Sequence, residues 1–207
     1  ATGLQPEKIG VGTPGTIDPP TGLMKNSNTT VLNGQPLGND LATKIGVPLT
    51  MANDANCFAV AEALMGAVPK RAPWAKVVFG VILGTGTGGG LVGDGRILGG
   101  AQGIGGEWGH MFLDNSGGYC YCGRVGCAER ILAGPSLEKY YANISGRSLS
   151  MKEIVPRYRA GTDPAATATM ERWFHFFAKG ISTIINVIDP DVIILGGGLG
   201  NIEELYT

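Results

Sequence analysis

The stretch GIGGEWGHMFLDNSGGYCYCGRVGCAE, residues 103–129, carries one histidine and three cysteines in the spacing H-x9-C-x-C-x4-C. His110, Cys120, Cys122 and Cys127 offer one imidazole and three thiolates, the donor set of a closed tetrahedral zinc site. Gly117, Gly118, Gly123 and Gly126 let the backbone turn sharply enough to bring three thiols onto one ion. The competing reading is disulfide pairing among small buried cysteines, but two cysteines in a C-x-C pair are too close to bridge each other comfortably. Four protein donors leave no open position for a metal-bound water, so the expected zinc is structural. Glu107 precedes His110 by three residues and Glu129 follows Cys127 by two. A metal that fixes His110 would therefore also orient the carboxylates of a polar pocket.

Upstream of this loop, residues 76–98 read as two strands around a glycine-rich turn. The first, 77–83, is almost entirely apolar and β-branched, as expected of a strand inside a sheet. The segment GTGTGGG, 84–90, has backbone amides that could cradle phosphate oxygens, with Thr85 and Thr87 as added hydroxyl donors. A tight hairpin explains the same glycines. No Lys-Ser/Thr pair follows, which excludes a Walker loop.

Further back, ANDANCFAVAEALMG, 52–66, places Asn53 and Asp54 where a strand gives way to a helix with apolar residues at helical spacing. Either residue can be the N-cap. Asp54 can equally be a general base held ionised by the helix amino terminus. Segment 37–45 reads as a short amphipathic helix and 47–51 as a strand. The polar run 25–33 is rich in turn formers, so Asn28 is read first as a turn residue and second as a binding side chain. The chain opens on a short strand at 9–11 that runs into the Gly/Pro turn GTPGTIDPPTG, a common setting for a ligand loop.

Downstream, 136–141 reads as a capped helix and 163–188 as a long one, opening on Asp163-Pro164 and closing at Asp189-Pro190. His175 stands among aromatic residues and is read as a packing side chain. A buried-type strand at 192–195 runs into Gly196, Gly197 and Gly198, a pattern seen at nucleotide-facing turns though weak alone. A last helix starts near Asn201.

Composition narrows the class. At 207 residues, 43% hydrophobic and 16% charged, the chain has the make-up of a globular protein with one core or two modest ones. A net charge of -1 argues against a nucleic-acid footprint. Cys57 is the only cysteine outside the zinc set, so no disulfide framework is available and a reducing cytoplasm is expected. No signal pattern is present, and the longest apolar run is too short to span a bilayer.

Taken in order, GVGTPG, NDANC, LGTGTGGG, GEWGH, CYCGRVGCAE and IDPDVIILGGG resemble the motifs of the ROK family of bacterial sugar kinases and sugar-responsive repressors. The run MKNSNTTVLNGQP, 24–36, is most similar to family members of the manno(fructo)kinase type. The resemblance implies a two-domain actin/hexokinase-like (ribonuclease H-like) α/β ATPase fold. Residues 1–52 would be the remainder of a small domain, and 53–207 a large domain that carries the zinc loop and is truncated at its C-terminus. It implies phosphorylation of a hexose by ATP with Mg2+, fructose leading, with glucose, mannose and N-acetylmannosamine as alternatives, in a cytoplasmic homodimer.

By the same likeness Asp54 would be the base, with Gly15, Asn28, Asn53, Glu107, His110 and Glu129 around the sugar. Gly84, Thr85 and Gly86 would meet the ATP phosphates, and Gly196, Gly197 and Gly198 the adenosine. His110 would face zinc on one side and sugar on the other. The family's opening D-x-G-G-T strand does not precede Ile9, and its closing helix does not follow Thr207. The expectation is therefore a piece of a longer protein with little kinase activity by itself. A sugar-sensing repressor domain is the second reading, and a purely structural zinc-stapled domain the third. An intact Asp54 and GTGTGGG favour the kinase, since a sensor needs neither.

Overall fold

A computed structural model describes residues 6–206; residues 1–5 of the expected small domain, and Thr207, lie outside the described residues. Strand β1 (Ile9–Thr13) pairs in parallel with β4 (Leu49–Asn53), so that Thr13 lies beside Asn53. Between them come a two-residue antiparallel pair, β2 (Thr16–Ile17) with β3 (Met24–Lys25), and helix α1 (Leu37–Ile45). The strand expected at 47–51 starts two residues later, because Pro48 has no N–H to give the ladder and contributes only its carbonyl, to Ile9 N at 3.0 Å.

Helix α2 (Asp54–Leu64) follows β4 without a loop, and α3 (Val68–Arg71) follows α2. A four-stranded mixed sheet then forms in the order β7-β6-β5-β8, from β5 (Val77–Leu83), β6 (Thr87–Gly93), β7 (Arg96–Ile97) and β8 (Val192–Gly196). Strand β5 lies between antiparallel β6 and parallel β8, which accounts for its apolar run. Its residues alternate between two cores. Val78 belongs to a cluster with Ala59, Val68, Ala72 and Val92 beneath α2 and α3. Phe79, Val81 and Leu83 face the larger core, against α4 (Glu129–Leu132), α5 (Gly134–Ser145), α6 (Met151–Arg159) and α7 (Pro164–Ile188). The result is a helix–sheet–helix sandwich.

The glycine run divides in two. Only residues 84–86 form the turn, while Gly88, Gly89 and Gly90 lie inside β6. A Cβ on Gly90 would stand 2.8 Å from both the Ala55 carbonyl and the Ala59 methyl, so the missing side chain lets α2 lie directly on the sheet.

Helix α7 runs for 25 residues from an Asp163 cap, with Pro164 at its first position, to a left-handed Asp189 (φ 47°) before Pro190. It bears the core through Trp173, fully buried, whose indole N–H donates to the Leu132 carbonyl at 3.1 Å. His175, expected in the packing, instead points outward; the ring only meets Phe176 edge-on, because the inward stripe of α7 is filled by Trp173 and Phe177. The helix expected at 136–141 begins earlier, at Gly134, and the one expected from Asn201 is two 3-10 turns, Leu199–Asn201 and Glu203–Tyr206. No helix among the described residues is long and apolar enough to cross a membrane.

Candidate active site

The β4–α2 junction decides which residue caps the helix. Asn53 Oδ1 accepts from the amides of Ala55 (2.9 Å) and Asn56 (3.2 Å), and its Nδ2 donates to the Gly15 carbonyl at 3.0 Å. With Asn53 as the cap, Asp54 stands at the first helical position, its side chain exposed toward a cleft of about 300 Å3. Gly15 has a φ of 74°, and a Cβ there would fall 2.5 Å from the Lys25 carbonyl, so this turn admits only glycine without strain.

Asn28 also lines the cleft. The turn it was read as forming is held by its neighbours instead: Asn33 Oδ1 accepts from Ser27 N at 2.9 Å and Asn33 Nδ2 donates to the Ser27 carbonyl at 3.0 Å.

From the opposite wall come Glu107, His110, Tyr121 and Glu129. Trp108, buried to 3% exposure, donates its indole N–H to the Gly180 carbonyl at 3.2 Å, and so anchors the 3-10 turn Trp108–His110 from inside the core. That turn puts Glu107 and His110 on the same cleft. Burial, and then the charges of Asp54 and Glu129, push the Glu107 carboxyl above its ordinary value. Glu129 is also pushed up, by burial, against a 3.4 Å bond from the Thr87 amide. Three carboxylates lining one cleft suit a ligand rich in hydroxyl donors.

Behind this wall the four expected metal donors, His110, Cys120, Cys122 and Cys127, lie within 4.8 Å of one another. Cys120 Sγ is 3.7 Å from His110 Nδ1, and Cys122 Sγ is 3.5 Å from Cys127 Sγ. Zinc–sulfur bonds of about 2.3 Å at tetrahedral angles give sulfur–sulfur edges of about 3.8 Å, so the donor set fits the ion. All four cysteines are free thiols.

A site residue that the sequence did not single out is Tyr121, between two metal donors, whose hydroxyl lies 3.1 Å from His110 Nε2. Burial, then the Glu129 charge, holds its phenol above the ordinary tyrosine value. Asn26, with a left-handed φ of 58°, is a second cleft residue that went unread. It follows β3 directly, and its one local signal is that asparagine is among the few non-glycine residues that accept a left-handed backbone.

A second cavity, of about 900 Å3, lies beyond Thr85, which lines both spaces. Gly84, the start of α5 at Gly134 and Pro135, Gly198, and Met151 and Val155 of α6 also line it. The Gly84 N–H is engaged with the Gly86 carbonyl at 2.9 Å, closing the turn, while the Gly84 carbonyl accepts from Gly134 N at 2.8 Å. Of the last glycine triplet only Gly198 reaches this cavity. Gly196 lies in β8 against the Phe58 ring, and Gly197, at φ 81°, is pressed on the Leu83 backbone.

The profile of the ROK family matches residues 3–207. The chain is 38% identical to an N-acetyl-D-glucosamine kinase of Histophilus somni (strain 129Pt) over 209 aligned positions, covering 96% of this chain and 67% of that protein. Among solved structures, a ROK hexokinase from Thermus thermophilus superposes with a TM-score of 0.79 at 33% identity, over 95% of this chain and 64% of that one. A ROK glucokinase from Streptomyces griseus, in complex with glucose and AMPPNP, superposes with a TM-score of 0.77 at 26% identity, over 95% and 67% of the two chains. The chain thus spans about two thirds of the length of these relatives. With the family profile matching nearly its whole length and its motifs in order, the chain belongs to the ROK family and has an actin-like ATPase fold.

Proposed function

We propose that this protein transfers the γ-phosphoryl group of ATP to a hydroxyl of a hexose, with Asp54 as the general base. Support comes from one arrangement: Asp54, Glu107, His110 and Glu129 share a cleft that meets a second, larger cavity at Thr85. A sugar in the first space and MgATP in the second would put acceptor and donor on either side of that threonine. Fructose led the expectation from segment 24–36. N-acetylglucosamine now stands ahead of it as the substrate, because the matched curated relatives carry that name.

The mechanism follows from positioning more than from covalent chemistry. Glu107 and Glu129 accept hydrogen bonds from sugar hydroxyls, with Asn28, Asn53 and the Gly15 turn forming the facing wall. Asp54 takes the proton of the reacting hydroxyl as its oxygen bonds to phosphorus, the bond to the ADP oxygen breaks, and ADP departs. Asn53 caps the helix and shares the Ala55 amide with Asp54 Oδ1, at 2.8 Å, so the second carboxylate oxygen of Asp54 is the one left for the sugar. Gly84, Thr85 and Gly86 border the phosphates, and Gly198 the nucleoside side. Zinc, held by His110, Cys120, Cys122 and Cys127, supplies rigidity when bound; these residues keep the sugar wall in register. The chain is read as two domains, 1–52 and 53–207, which meet at the β4–α2 junction.

ADP release in the presence of Mg2+ and ATP, across N-acetylglucosamine, N-acetylmannosamine, glucose, mannose and fructose, tests this reading. Turnover on one hexose that falls by at least about a hundredfold in Asp54→Asn supports it. Hexose binding with no turnover in either protein would favour a sugar sensor.

A further inference from the structure

The two ring nitrogens of His110 point to different chemistry. Nδ1 lies on the thiol side, 3.7 Å from Cys120 Sγ, while Nε2 lies 3.1 Å from the Tyr121 hydroxyl on the cleft side. If Nδ1 ligates a metal, Nε2 carries the ring proton and donates it to the phenol oxygen. The Tyr121 O–H is then a donor, and among the acceptors that share its cleft are the carboxylates of Glu107 and Glu129 on its own wall and, when present, the oxygens of a ligand. A sugar hydroxyl approaching the cleft face of His110 therefore meets Tyr121 there.

The phenol is also well held. Its neighbours Cys120 and Cys122 both belong to the metal cluster, which ties the backbone on either side. Its ring stands edge-on to the His110 ring, with centroids 5.1 Å apart and planes at 88°. It is nevertheless 45% exposed, so the side chain is not core packing, and it stands outside the four clustered donors. Phosphoryl transfer as described above leaves it without a role.

We infer that Tyr121 is a specificity-determining residue of the sugar site, whose hydroxyl bonds the hexose beside His110 and selects among hexoses by the orientation of the ring hydroxyl that meets it. The inference rests on the sugar-kinase reading of the cleft. A phenol fixed at both ends accepts a partner only within a narrow range of directions, so an epimer with its hydroxyl turned away loses that bond.

Tyr121→Phe keeps the ring and removes only the hydroxyl. Binding of each hexose would be measured by titration calorimetry without nucleotide, with zinc content per chain and thermal melting as controls. The expected result is a five- to tenfold weaker affinity for the preferred hexose, the loss of about one hydrogen bond, with a smaller loss for its epimers. Preference is thereby compressed, while zinc content and melting stay as in the wild type.

Unchanged affinities overturn the inference. So does an equal weakening of all hexoses with lowered zinc content, which marks Tyr121 as a mere prop for His110. Wild-type protein that binds no hexose would sink the kinase reading and this inference together, whereas wild-type binding with an indifferent Tyr121→Phe sinks the inference alone.

Discussion

Asn53 donates its side-chain amide to the carbonyl of Gly15 at 3.0 Å, across 38 positions of sequence, while its carbonyl oxygen caps helix α2. One buried side chain thus closes the turn after β1, ends β4 and starts the helix that carries Asp54. Removing it touches three elements at once. Asn53→Ala is expected to cost at least about 1–2 kcal/mol from the cap alone, with the donor to Gly15 lost in addition. Urea unfolding measures the loss; a change below about half a kilocalorie per mole, the usual effect of a surface substitution, would show that the tie is not formed in solution.

Gly15 answers for the other end of that bond. Its left-handed φ of 74° and the 2.5 Å and 2.7 Å that a Cβ would leave to the Lys25 carbonyl and Ser27 amide make Gly15→Ala costly twice over. The conformation itself costs about 1–2 kcal/mol in an L-residue, and the contacts with backbone cannot yield as a side-chain tip would. Hexose affinity is expected to fall together with stability, since Lys25 and Ser27 belong to the segment that leads to Asn28. A Gly15→Ala protein with wild-type melting and wild-type hexose affinity would contradict the turn geometry.

Zinc is expected at one ion per chain, and Cys120→Ser or Cys127→Ser to reduce it below that ratio. Stripping the ion with a chelator removes the common anchor of residues 110–127, so the melting temperature and the hexose affinity should both fall. Mass spectrometry for the metal and calorimetry for the sugar report separately. If chelation empties the site and sugar affinity does not change, the loop is a stabilising staple with no hold on the cleft.

Asp163 is one carboxyl whose partners tie stability to pH. It is 4% exposed and accepts from Tyr141 Oη and Arg147 Nη2, both at 2.7 Å, and from the Ala165 amide at 3.0 Å. The Tyr141 bond above all, with the helix amides and the Arg147 charge, outweighs burial and holds its pKa below the ordinary 3.8. A carboxyl depressed by folding contributes stability that is present above its unfolded value and lost as pH falls through its folded one. Asp163→Asn should therefore be less stable than wild type at neutral pH, with the gap closing in acid. A gap that stays constant with pH would mean that the variant lost packing and not charge.

Much of the fold is legible in local chemistry. The apolar run 77–83 marks the central strand, Asp163-Pro164 and Asp189-Pro190 bracket the long helix, and the cysteine spacing marks the metal cluster, each because its cause lies within a few residues. Ambiguity begins where a residue type serves two purposes. The glycines of 84–90 look alike in sequence, yet Gly84 and Gly86 shape a turn whereas Gly90 makes room for Ala55 and Ala59 of a helix some 30 positions away. The choice between Asn53 and Asp54 as cap needed the Gly15 carbonyl, and His175 needed the competing packing of Trp173 and Phe177. Tyr121 carried no signal at all, since only the folding of residues 110–122 into one loop brings its hydroxyl to His110. Periodicity, caps and donor spacing are properties of short segments, and the amino-acid sequence by itself determined them. The shared cleft, its meeting with the second cavity at Thr85 and the partner on each face of His110 depend on contacts between distant segments, and these only the tertiary structure decided.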